Sequence, residues 1–208
     1  MDTETEVQPI EVVLFDLGGV LVELNGVESM RQLTGIESDE ELWRRWLTCR
    51  WVRDFERGGC SAEDFAAGVI SDWELTITPE SFLEAFGAWP SGLFPGAEEL
   101  VRTTRLSVPV GYLSNTNSMH WDEHFSRWPL CAEFDHRFLS FELGWLKPDR
   151  ELFDGVAALL EIPASRILFL DDNQINVDGA RDAGFTAVRV QGVAEAERAL
   201  VAAGVLDR

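Results

Sequence analysis

Short apolar runs alternate with helix-length segments through most of this chain, and the alternation predicts an α/β fold built on a parallel sheet. Three observations carry the prediction. Four runs of strand length are almost wholly apolar, as strands covered on both faces are. Three of those runs end in clusters of polar residues. Between about Leu24 and Phe94 the alternation stops and gives way to a helical pattern rich in tryptophan.

Residues 1–9 are acidic and lack the basic start and apolar stretch of a signal peptide, so they read as a short solvated lead-in. Residues 11–15 form the first apolar run, a buried central strand closing on Asp16-Leu17-Gly18-Gly19. A helix over 97–106 leads to the second strand at 108–113, which ends in Ser114-Asn115-Thr116-Asn117. A helix over 149–160 leads to the third strand at 166–170, ending in Asp171-Asp172-Asn173. A helix over 175–183, with Gly184 placed as its C′ residue, leads to the fourth strand at 185–190. Ligands bind beyond the carboxyl ends of strands in such sheets, so the three polar strand ends mark one site.

The insert reads as three helices, over 39–56, 62–73 and 80–88. Gly58-Gly59 ends the first, and Ser61 with Asp64 has the form of a capping box for the second. Trp43, Trp46, Trp51, Trp73 and Trp89 all fall here, as expected of a small subdomain that builds its core from few residues. Pro90 and Pro95 bracket the return to the α/β part. The predicted division is therefore residues 1–22 and 91–208 for the α/β domain and 23–90 for the helical one.

Charge limits the partners. With 17 basic against 37 acidic residues the formal net charge is −20, which repels nucleic acid and anionic membranes. An anionic substrate needs a local cation to bind. No apolar run approaches the roughly 20 residues of a membrane span. Cys49, Cys60 and Cys131 are odd in number, far apart and without a CxxC pair, which argues against disulfides or zinc and for a reducing cytoplasm. A monomer or homodimer is expected.

The strand ends carry a specific resemblance. Phe15-Asp16-Leu17-Gly18-Gly19-Val20, Tyr112-Leu113-Ser114-Asn115, Lys147-Pro148 and Phe169-Leu170-Asp171-Asp172 resemble, in order, the four motifs of the haloacid dehalogenase superfamily. The resemblance spans Phe15 to about Gly184. It implies a Rossmann-like core with a C1-type cap inserted after the first strand, as in subfamily IA. It also implies that Asp16 is the nucleophile and that Mg²⁺ is bound by Asp16, the Gly18 carbonyl and Asp172, with Asp171 linked to the same centre. Ser114, Asn115, Gly19 and Lys147 would hold the phosphate, and Asn176 sits where relatives carry another polar group of the site. The chemistry suits the residue types: a carboxylate can attack phosphorus, converging carboxylates need a hard cation, and a lysine stabilises charge developing on the transferring group.

One position departs from the phosphatase pattern. Two residues after the nucleophile the family carries a second Asp that protonates the leaving oxygen; here that residue is Gly18. General acid–base catalysis contributes roughly 10²–10⁴-fold. Asp-Leu-Gly-Gly, Leu-Ser-Asn-Thr-Asn followed by His120, and Asp-Asp-Asn resemble a bacterial α-D-glucose-1-phosphate phosphatase subgroup that also lacks this Asp. The resemblance implies a phosphatase for a small phosphorylated molecule with an easy leaving group, such as a sugar 1-phosphate. Two alternatives are a catalytically weak protein that binds a phosphorylated ligand in a regulatory role, and a dehalogenase-type hydrolase. Arg53 and Arg57 in the insert, and His120 after the second motif, are candidates to line the pocket. Glu23 and Asn25 fall at the expected cap hinge.

Overall fold

The computed structural model describes residues 9–207; most of the acidic lead-in lies outside the described residues. The first strand, β1 (Val12–Phe15), has no solvent-exposed residue. It runs into a tight loop and then β2 (Val22–Leu24). Five helices follow: α1 (Gly26–Thr34), α2 (Asp39–Thr48), α3 (Arg50–Glu56), α4 (Ala62–Trp73) and α5 (Pro79–Gly87). The chain returns through β3 (Pro90–Leu93), which pairs antiparallel with β2. Beyond it lie α6 (Ala97–Arg105), β4 (Val110–Ser114), α7 (Ser118–Glu123), β5 (His136–Leu139) and the single turn α8 (Ser140–Leu143). The last elements are α9 (Arg150–Leu160), β6 (Ile167–Asp171), α10 (Gln174–Asp182), β7 (Thr186–Arg189) and α11 (Gly192–Ala202).

The main sheet has the order β5-β4-β1-β6-β7, and every neighbouring pair is parallel. The α/β fold with a central parallel sheet is as the sequence predicts. β1 lies in the middle, with β4 on one side and β6 on the other, so the strand order reverses there. That reversal opens a crevice at the carboxyl ends of these three strands. One apolar cluster packs on each face of the sheet: Phe15, Leu17, Val101 and Tyr112 belong to one, Leu14, Phe153, Phe169 and Val177 to the other.

The helical insert has a third cluster of its own, which includes Trp46, Phe55, Phe65, Phe82, Phe86 and Trp89. Tryptophan does build this core, although Trp43 remains partly exposed. The sequence predicts one helix over 39–56; the structure breaks it at Cys49, whose extended ψ of 122° separates α2 from α3. The break has a packing reason. In one continuous helix, Trp46 and Phe55 would lie about 180° apart at roughly 100° per residue. The turn brings both onto Phe65, with ring centroids at 6.2 Å for Trp46 and 4.5 Å for Phe55. Ser61 caps α4 as expected, accepting from the Asp64 N–H at 3.1 Å and donating to the Asp64 carboxylate at 2.9 Å. α1, α7, α8, α11, β5 and the β2–β3 ribbon have no counterpart among the elements the sequence predicts.

Candidate active site

β1, β4 and β6 deliver Asp16, Ser114 and Asp171 to the same end of the sheet, because parallel strands in this register finish level. Asp172 follows β6 directly, and Lys147 comes from the loop after α8. Lys147 is buried, and its three donors are all used: Nζ lies 2.9 Å from Asp16 Oδ1, 2.7 Å from Asp171 Oδ2 and 3.0 Å from the Leu113 carbonyl. Burial alone pulls the lysine pKa down, but Asp16 and Asp171 outweigh it and hold the ammonium firmly charged.

Asp16 accepts the Leu17 N–H at 2.7 Å through the same Oδ1 that meets Lys147. Its other oxygen is free of hydrogen bonds among the described residues. Burial raises its pKa, Lys147 opposes that, and Asp171 and Asp172 add to it. Asp171 is fully buried and committed: the Asn173 N–H reaches its Oδ1 at 2.8 Å, and Asn176 Nδ2 donates to both oxygens at 3.1 and 3.2 Å. Asn176, which the sequence marks as part of this site, is thus the residue that orients Asp171. Asp172 is raised to about 6 by burial, with Asp171 adding to it.

Asp16, Asp171 and Asp172 can each present an oxygen within 4.8 Å of the others. One lysine cannot neutralise three carboxylates, two of them buried and Asp172 half-buried, so the cluster carries an excess of negative charge. An all-oxygen set of this kind fits a hard divalent cation. Gly19 makes the approach possible: at φ +70°, a Cβ there would fall 2.3 Å from Asp172 Oδ2. Gly18 has no such constraint from the site. A Cβ on it would meet only the Cδ1 of Leu24, at 2.6 Å, and Leu24 is partly exposed.

Ser114 is buried at the end of β4 beside this cluster. The Asn115 side chain is engaged: its Oδ1 accepts the Lys147 N–H at 2.9 Å and its Nδ2 donates to the Lys147 carbonyl at 3.0 Å. The Asn115 side chain therefore fixes the lysine. Ser140, unremarked in the sequence, braces the same wall, accepting the Thr116 N–H and donating to the Thr116 carbonyl, both at 2.9 Å.

Other candidates lie elsewhere. Arg53 and Arg57 turn to Asp149, with shortest contacts of 2.9 and 2.6 Å, and bind the insert to the loop that carries Lys147. Asp149 stands at the N-cap of α9 but makes no side-chain cap bond; its carboxylate serves the arginines instead. His120 lies in the seam between insert and sheet, stacked on Phe86 at 4.2 Å, with Nε2 donating to the Phe86 carbonyl at 2.8 Å. His124 Nε2 reaches the Gly87 carbonyl at the same distance, 2.8 Å. Asn25 pins the ribbon, its N–H donating to the Trp89 carbonyl at 2.9 Å. Glu23 lies in β2. Glu56, at the end of α3, carries no signal in the sequence beyond its place three residues after Arg53. The three cysteines are free. Among the described residues, no helix is long and apolar enough to cross a membrane.

Known proteins resemble this chain in sequence and fold. The family model of haloacid dehalogenase-like hydrolases matches residues 10–184. D-ribitol-5-phosphate phosphatase of Bacteroides thetaiotaomicron is 30% identical over 191 residues, covering 85% of this chain and 89% of that protein. (S)-2-haloacid dehalogenase H-109 of Pseudomonas putida is 27% identical, covering 86% of this chain and 84% of its own. Among solved structures, a HAD-family enzyme of B. thetaiotaomicron in complex with magnesium and inorganic phosphate superposes with a TM-score of 0.68 at 24% identity, covering 88% of this chain and 94% of that one.

Proposed function

Because this chain belongs to the haloacid dehalogenase-like hydrolases, we propose that it is a Mg²⁺-dependent phosphatase acting on a small phosphate ester through a phosphoaspartate at Asp16. The observation that carries this reading is the convergence of Asp16, Asp171 and Asp172 around a single lysine. A phosphoryl group brings negative charge that such a pocket accepts only with a cation present. Asp16 Oδ2 and Asp172 are the side-chain oxygens available to hold it, and the Gly18 carbonyl would add a backbone oxygen. Bound Mg²⁺ would neutralise phosphate oxygens and the carboxylates together.

The chain's own residues then divide the work. Asp16 attacks phosphorus, forming an O–P bond while the ester P–O bond breaks. Lys147 holds Asp16 in place and presents positive charge where it develops. The Ser114 hydroxyl donates to a phosphate oxygen, and Asp171, held by Asn176, keeps Lys147 aimed. The insert serves as a cap over the crevice, residues 23–90 forming the cap and the remainder the core. Gly18 places no proton donor beside the leaving oxygen, which favours esters whose leaving group is acidic, such as a sugar 1-phosphate.

A dehalogenase reading draws on the likeness to the P. putida enzyme. Displacement of halide from carbon by a carboxylate brings no phosphoryl charge to neutralise, so the acidic cluster favours the phosphatase. The test is a panel of small phosphate esters assayed with Mg²⁺ and with EDTA, beside Asp16→Asn. Hydrolysis that needs both Mg²⁺ and Asp16 supports the reading. Activity equal in Asp16→Asn, or halide release indifferent to EDTA, overturns it.

A further inference from the structure

Glu56 is an ionisable side chain that no hydrogen bond or ion pair accounts for among the described residues, although it ends a helix lodged against the catalytic loops. α3 is locked there at two points. Arg53 and Arg57 bind Asp149, two residues after Lys147. Gly58 packs so closely on α8 that a Cβ would fall 2.6 Å from the Phe141 carbonyl, next to the Ser140 brace. On an exposed helix Arg53 would pair with Glu56 three residues on. Instead its guanidinium turns to Asp149, leaving Glu56 half-buried and unpaired.

We propose that Glu56 supplies, from the cap, the proton-transfer group that Gly18 lacks, and that the enzyme therefore also hydrolyses alkyl phosphates. This rests on the phosphatase reading above. In an in-line displacement the leaving oxygen departs on the side away from Asp16, toward the cap. As the ester P–O bond breaks, its electron pair goes to that oxygen, which takes the Glu56 proton and leaves as the alcohol. The Glu56 carboxylate then takes a proton from the water that attacks phosphorus. The Asp16–phosphate bond breaks, its electrons return to Asp16, and inorganic phosphate leaves with Glu56 protonated again.

The electrostatics agree with this role. Burial pushes the Glu56 pKa up to about 7, while Lys147 and then Arg53 pull it down. Lys147 and Arg53 are the cations that act on Glu56, although Arg53, like Arg57, is paired with Asp149. A carboxyl that titrates near neutrality both gives and accepts a proton readily.

The test compares kcat/KM, which reports steps up to phosphoenzyme formation, for glycerol phosphate and 4-nitrophenyl phosphate with Mg²⁺. Glu56→Gln should lower the glycerol phosphate value about 10²-fold or more, and the nitrophenyl value at least 10-fold less than that, since nitrophenolate needs little help from an acid. Gly18→Asp added to Glu56→Gln should recover about 10-fold or more on glycerol phosphate; a Cβ at Gly18 displaces only the tip of Leu24. Equal losses on both esters, or no loss, overturn the role of Glu56 and leave the phosphatase reading standing. Activity that persists in Asp16→Asn overturns both.

Discussion

Asn115 and Lys147 hold each other by two hydrogen bonds, side-chain amide to backbone, at 2.9 and 3.0 Å. The clamp joins the end of β4 to the loop that delivers the buried Lys147 ammonium. Asn115→Ala leaves the Lys147 N–H and carbonyl without partners, a loss of about 1–3 kcal/mol. It also frees the lysine to shift, and a displacement of about 1 Å can lower a rate roughly 10²-fold. The expected outcome is a lower melting temperature together with a 10- to 100-fold lower kcat, both roughly estimated. An Asn115→Ala protein with unchanged kcat would show that Lys147 is positioned by its carboxylates alone.

Gly19 cannot carry a side chain without moving Asp172. Gly19→Ala meets two penalties, a left-handed φ of +70° and a Cβ 2.3 Å from Asp172 Oδ2. The backbone part costs roughly 1–2 kcal/mol. The displaced carboxylate should reduce Mg²⁺ affinity as well. In the unaltered protein, Mg²⁺ at about 100 times its Kd should stabilise the fold by roughly 2.7 kcal/mol. Thermal melts with and without Mg²⁺ should show that gain shrink in Gly19→Ala and in Asp172→Asn. A full Mg²⁺ shift in both variants would place the ion elsewhere.

The Arg53–Asp149 and Arg57–Asp149 pairs are partly exposed, so each contributes only about 0.2–1 kcal/mol. Pairs that weak can hold the insert against the loop and still release it. Asp149→Asn should change stability by less than about 2 kcal/mol while raising KM for small esters. Added salt should raise KM in the unaltered enzyme by screening the same pairs, and less so in Asp149→Asn. A parallel rise in both proteins would separate the salt effect from Asp149.

His120 is neutral in the folded chain. The Phe86 carbonyl can only accept, so Nε2 carries the hydrogen, and Nδ1 is left to accept from Asn117 Nδ2 at 3.3 Å. Burial lowers its pKa from 6.5 to about 4. Between those values the unfolded chain binds the proton that the folded chain refuses, so stability is lost as pH falls from about 6.5 to about 4. The contribution is roughly 3 kcal/mol in total and does not grow below pH 4. Denaturant unfolding of His120→Gln between pH 4.5 and 6.5 should show a shallower dependence than the unaltered protein. Matching slopes would assign the acid sensitivity to other groups.

The sheet core and the acidic cluster were readable because parallel strands covered on both faces leave continuous apolar runs, and those runs stop abruptly at Asp16, Ser114 and Asp171. β5 left no such trace: it is an edge strand whose first two residues are His136 and Arg137, only partly covered. The break at Cys49 was hidden too, since neither glycine nor proline marks it and only the need to face Trp46 and Phe55 inward demands it. Arg53 and Arg57 stand out in the sequence by their charge, yet where they point depends on Asp149, 92 to 96 residues away. Glu56 gives no signal in the sequence for the converse reason. An acid on an amphipathic helix looks solvated until its neighbours are found to be bound elsewhere.

The cap's private aromatic cluster also bears on how such a protein changes over generations. Trp46 and Phe65 pack within the insert, Phe86 also stacks on His120 of the α/β part, and the chain passes between the two parts through the short β2–β3 ribbon. A lineage can therefore rework the cap, residue by residue, with little penalty to the strands that carry Asp16 and Asp171. Under the proposed function, substrate preference can then drift on its own, while the chemistry beneath it is inherited almost unaltered.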